Sequence, residues 1–192
     1  FQFGSASLVM LQRFAQRTWA LWLDSSEGVL RLAKVGDDAL RDGDVVDIPL
    51  PDGAQPVGLE RSDVGSRLVI WQPNPEPALS AIDLDNEFQP VPGVAVQAPD
   101  PTVKPMLVDG GGSHRARVWN DSTSSLIRAS IDGASPVDLL EGAAFSASAV
   151  AVGLVLGIRD PQNADATYAV VLDWTGALQA KAHVGPKFTQ PQ

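Results

Sequence analysis

Residues 117–132 read RVWNDSTSSLIRASID: an apolar and cationic run, a knot of turn formers, and a second run that stops at an aspartate. Nearly the same pattern appears at 21–35 as LWLDSSEGVLRLAKV, and less cleanly at 69–83 and 170–184. Both runs are of strand length. The Asn, Asp, Ser and Gly between them are residues that turns select, so each stretch reads as a β-hairpin.

Anchoring on the leucine after each turn (Leu30, Leu79, Leu126 and Leu178) gives separations of 49, 47 and 52 residues, so four copies fill the chain. Before the turns stand TWALWL (18–23), RLVIW (67–71), RARVW (115–119) and TYAVVL (167–172), and after them VLRLAKV, ALSAIDL, LIRASID and ALQAKAHV. A further apolar run lies upstream of each hairpin, at 6–14, 56–62, 104–110 and 149–160, and another lies downstream at 44–50, 87–94 and 135–142. Seventeen glycines and fifteen prolines punctuate these runs along the whole length instead of pooling in one linker, as short strands and tight turns require. The one stretch with some helical character, SLVMLQRFAQRTWALWL at 7–23, mixes helix formers with aromatics and lacks a clean cap.

Four strands per repeat, and a period close to the 40–50 residues of a blade, resemble a β-propeller. The resemblance covers nearly the whole chain but rests on spacing and turn chemistry. No WD dipeptide, kelch di-glycine or aspartate-rich calcium loop recurs, so no subfamily is indicated. It implies an all-β fold, with one domain over 1–192 and blades near 5–52, 53–100, 101–145 and 146–192. The fourth copy runs out after its third strand, in VGPKFTQPQ, so Phe1–Gly4 are expected to supply a closing strand, or a second chain to complete the ring. The alternative is a β-sandwich, which gives no reason for a regular period.

With 192 residues, 44% of them hydrophobic, and five tryptophans, the chain has enough apolar surface to fold. A net charge of −9 argues against nucleic acid and anionic membranes as partners, since both are bound through Lys and Arg. Cysteine is absent, which removes disulfides, thiolate nucleophiles and Cys-based metal sites, and leaves the compartment unreadable. The most apolar run, AVAVGLVLGI at 149–158, is of strand length and too short to span a bilayer as a helix. A start at Phe1 fits a processed product, a trimmed chain or a fragment.

The most site-like stretch is GGGSHRARVWND, peculiar to the third copy. His114, Arg115, Arg117 and Trp119 could together hold a carboxylate, a phosphate or a sugar, through guanidinium forks and a stacking indole. The plainer reading sends Arg115 and Arg117 to solvent on one strand face. Trp22, Trp71 and Trp119 recur near the end of the second strand of their copies, which points to packing between sheets, and the copies show no arginine or glutamate at a matched position beside them. Asp37, Asp38, Asp42, Asp44 and Asp47 invite a calcium site but lack the EF-hand spacing. Asp109, Asp121, Asp132, Asp160 and Asp173 stand at strand ends, where either turn formation or carboxylate catalysis would place them. Nucleophile-elbow, phosphate-loop and zincin motifs are missing.

These features favour a non-enzymatic propeller acting as a protein-interaction or assembly scaffold, with a protein partner or a second copy and no cofactor. A propeller that binds a glycan or small ligand, and a propeller hydrolase using strand-end aspartates, are the alternatives.

Overall fold

The computed structural model describes residues 6–15, 17–24, 26–38, 41–62, 65–73, 75–97, 103–112, 114–163 and 166–184. Among these residues every regular element is a strand, and the strands form four separate four-stranded antiparallel sheets, each in consecutive chain order. Four successive meanders of this kind are the blades of a β-propeller architecture. The 7–23 stretch is strand, and Phe1–Gly4 lie outside the described residues. The chain divides into two compact units, 1–104 and 105–192, each with two blades.

In the first unit, β1 (Ala6–Phe14), β2 (Arg17–Asp24), β3 (Val29–Val35) and β4 (Arg41–Pro49) form one blade. The next is β5 (Gln55–Ser62), β6 (Gly65–Gln72), β7 (Ala78–Leu84) and β8 (Pro90–Gln97). The period-2 alternation of a strand divides β2 between two environments. Trp19 and Leu21 enter the main core with Leu30, Leu32, Ile48, Leu68 and Ile70, while Ala20 and Trp22 pack on the other face with Ala33. Gln12 joins the two blades: its amide oxygen accepts the Leu59 N–H and its amide nitrogen donates to the Leu59 carbonyl, both at 2.6 Å.

The second unit repeats the plan with β9 (Met106–Gly111), β10 (His114–Asn120), β11 (Leu126–Ile131) and β12 (Val137–Glu141), followed by β13 (Ala143–Val150), β14 (Gly153–Arg159), β15 (Thr167–Asp173) and β16 (Leu178–His183). Its core takes Ala116 and Val118 from β10, Ile127 and Ala129 from β11, and Leu154, Leu156 and Val170 from the last blade. Asn120 joins these blades as Gln12 does in the first unit, accepting the Ala144 N–H at 2.7 Å and donating to the Ala144 carbonyl at 2.9 Å.

Two details depart from the sequence pattern. The last blade has all four strands within 143–183, because 149–160 is not one run but the end of β13, a turn and β14. The hairpin at 167–183 is therefore the third and fourth strands of its blade, whereas the matching pattern in the first three copies is the second and third. The leucine anchor also slips by one in the third copy: Leu30 pairs with Leu23 and the fully buried Ile127 with Asn120, so Leu30 corresponds to Ile127 and not to Leu126. On this register the first and third blades are offset by a constant 97 residues across their β2–β3 and β10–β11 hairpins.

Candidate functional site

His114 opens β10 beside the β9–β10 turn, where Gly111 and Gly112 both adopt positive φ. Across the sheet, Asp132 follows β11 in a left-handed conformation (φ 53°), one that Asp tolerates better than most residues. Its backbone N–H donates to the Arg115 carbonyl and its Oδ1 accepts the Arg115 N–H, each at 2.8 Å. Its Oδ2 lies 2.9 Å from His114 Nδ1. Partial burial pushes the Asp132 carboxyl up, but the Arg115 N–H and the His114 ring outweigh it and hold it below the usual carboxylate range. An ionised carboxylate can only accept, so Nδ1 is the donor, and the neutral ring presents Nε2 as an acceptor.

Trp174, at the head of the β15–β16 turn, lies face to face with this imidazole, ring centroids 4.8 Å apart and planes within 6°. The same turn is fixed by Asp173, whose Oδ1 accepts from Thr175 N and Oγ1 and from Ala177 N. Further along it, Gly176 packs against Leu139 and Val137 of β12. The turn thus spans the preceding blade from the β9–β10 hairpin to β12, and exposed Val137 and Leu178 flank it. The β9–β10, β11–β12, β13–β14 and β15–β16 turns all fall at this end of the unit, since successive strands of a meander reverse.

The four residues singled out from the sequence do not form one cluster. His114 is half-exposed at the head of β10, and Arg115 is exposed beside it with its backbone held by Asp132. Arg117 is half-buried further along the strand. Trp119, only 6% exposed, stands five positions from His114, about 16 Å along the strand. Trp174, in the β15–β16 turn, is the indole that His114 meets.

What surrounds Trp119 is a different assembly, built twice. Trp119 is paired across the sheet with Arg128, as Trp22 is with Arg31. Arg31 bonds Asp24 at 2.8 Å, lies 3.3 Å from Asp47 and also meets Glu27. Arg128 bonds Asp121 and Asp138, each at 2.7 Å. In both copies the first aspartate also accepts from the residue two positions on, Ser26 or Thr123, through backbone N–H and hydroxyl. The copies therefore do share an arginine at a matched position. The pattern D-x-[ST]-x4-R at 24–31 and 121–128 carries it, and the one-residue anchor slip conceals it. The second blade has no arginine at this position, since Trp71 faces Leu79; its ion pair, Arg67 to the buried Asp83 at 2.7 Å, lies towards the other end of the β6–β7 hairpin.

The strand-end aspartates are turn acceptors and are split between the two ends of the unit. Asp109 accepts from Gly111 N, and with Asp132 and Asp173 it lies at the His114 end. Asp121 and Asp160, which accepts from Gln162 N at 2.8 Å, lie at the other. Of the acidic run at 37–47, Asp47 turns to Arg31 and Asp42 stands 4.0 Å from Arg17. Among the described residues no group of three or more His, Asp or Glu side chains is assembled in a way that could hold a metal ion, and no helix is long and apolar enough to cross a membrane.

The fold and this site define the class: an all-β protein of β-propeller architecture, with four four-stranded blades and a histidine–aspartate–tryptophan cluster at one end of its second unit. Beyond that class, no family model and no curated protein matches the sequence.

Proposed function

We propose that this chain is a non-enzymatic propeller that acts as a protein-interaction scaffold, with the His114 end of its second unit as the contact surface. The observation that carries this reading is the continuity of the β15–β16 turn with its neighbours. Trp174, Val137 and Leu178 lie on adjoining hairpin ends, and Leu178 is 59% exposed. Aromatic and aliphatic side chains held in place by a sheet lose little entropy on binding, which is what interface anchors require. The use of the strand-end aspartates as turn acceptors supports the non-enzymatic part, because those carboxylates are committed to holding backbone.

The test is site-specific photo-crosslinking in cells of origin, with the photoreactive residue at position 178 or 137 and, as a control, at Leu11 of the first unit, which is 67% exposed. Covalent capture of the same protein from 178 and 137 and not from 11 is expected. Capture at 11 alone, or at none of the three, overturns the reading.

A further inference from the structure

Resting on that reading, we propose that the partner segment received at the His114 end is basic and flanked by apolar residues, with an Arg or Lys side chain laid over Trp174. Three features select this chemistry. The His114 Nδ1 is committed to Asp132 at 2.9 Å, so a neutral His114 ring turns Nε2 outward as an acceptor, which a donor group on the partner would meet. Asp109, Asp132 and Asp173 all lie at this end, against the two cations of Arg115, the cross-strand neighbour of Asp109, and Arg117 two positions further along the strand. The local surplus is therefore negative. An anionic ligand would meet this surplus of carboxylates, which disfavours carboxylate or phosphate at the site.

Trp174 supplies the third feature. An indole face attracts a guanidinium or ammonium through its quadrupole, most strongly where water is partly excluded; one face of the half-buried Trp174 is stacked on His114, so the cation would take the other. The aliphatic stem of the same side chain, and its apolar neighbours, would rest on Val137 and Leu178. The net charge of −9 adds a long-range attraction for a basic partner.

The experiment is an array of capped hexapeptides that vary independently in charge and in apolar content, probed at low and at physiological salt. The whole chain is used, as wild type and as Leu178→Lys and Trp174→Leu. Leu178→Lys changes only an exposed side chain and so keeps the test readable if Trp174→Leu is poorly folded. Basic peptides with apolar neighbours are expected to bind, to weaken with added salt, and to lose at least about tenfold in affinity in both variants. Selection of neutral or acidic peptides, or basic binding indifferent to Leu178→Lys, overturns the proposal. Crosslinking through position 178 without any basic-peptide binding rejects this chemistry and leaves the scaffold reading standing, whereas failure of both rejects the two together.

Discussion

Trp174 lies against Gly110 so closely that a Cβ built there would come within 2.2 Å of the indole Cζ2, whereas one at Gly153 would come within 1.9 Å of the Leu172 carbonyl oxygen. The two glycines are equally crowded, but different things must yield. Trp174 sits in a turn and can swing, while Leu172 is ladder backbone in β15 paired with Leu154. Gly110→Ala is expected to cost about 1 kcal/mol and Gly153→Ala about 3 kcal/mol or more, because overpacking is costly in proportion to the rigidity of the neighbour. Urea denaturation measures both. The alanine at 110 should also red-shift tryptophan emission as the indole leaves its seat, and equal costs without a spectral change would contradict the assignment.

Acid sensitivity should be traceable to Asp121. Its carboxyl is lowered from the ordinary 3.8 to about 2, chiefly by the Thr123 hydroxyl and N–H, with Arg128 and Ser124 adding to the effect against partial burial. Because the folded value is depressed, the stability it contributes is complete above the unfolded value and disappears as pH falls from about 4 to about 2. Asp121→Asn should therefore be less stable than wild type at neutral pH and converge on it near pH 2. Thermal midpoints taken between pH 6 and pH 2 decide this, and a parallel offset at all pH values would exclude it.

The blade plan was legible because hairpins announce themselves locally. In the first three copies the strands fall within a few residues of the apolar runs, since turn chemistry and alternation both act over short range. The last blade misled because its 160–166 connection is longer and its 151–152 turn is written in Ala and Val, without a turn former to mark it. At the site, His114 stood out by its glycine-rich approach, but its partners lay 18 and 60 residues away in two other hairpins. A single sequence carries no mark of such proximity. Of the three recurring tryptophans, Trp22 and Trp119 stand opposite an ion-paired arginine and Trp71 stands opposite Leu79.

The duplicated arginines should behave alike in kind and differ in degree. Arg31 is the less exposed of the two and meets three carboxylates, whereas Arg128 meets two. Removing either leaves the small buried face of Asp24 or Asp121 without its cation. Arg31→Met and Arg128→Met are both expected to lower the urea midpoint, the former more, while Arg13→Met, an exposed β1 residue, stays near wild type. If Arg128→Met proved the more damaging, the correspondence of the two assemblies would lose its energetic content.

Asn120 gives the last test, because its side chain acts as a peptide group for Ala144, accepting its N–H and donating to its carbonyl. Asn120→Ala loses both bonds and is expected to cost about 1–3 kcal/mol. Asn120→Asp separates the two halves of the clasp. An ionised carboxylate still accepts the Ala144 N–H but sets its second oxygen against the Ala144 carbonyl, so the folded state should raise this carboxyl above its unfolded value near 3.9. A raised acid group is destabilising above the folded value and harmless below the unfolded one, where the protonated form regains a donor. Measured against wild type at the same pH, the deficit of Asn120→Asp should be greatest at neutral pH and shrink by pH 3.5, while that of Asn120→Ala stays constant. A deficit in the aspartate variant that does not move with pH would show that the Ala144 carbonyl is not what the amide nitrogen serves.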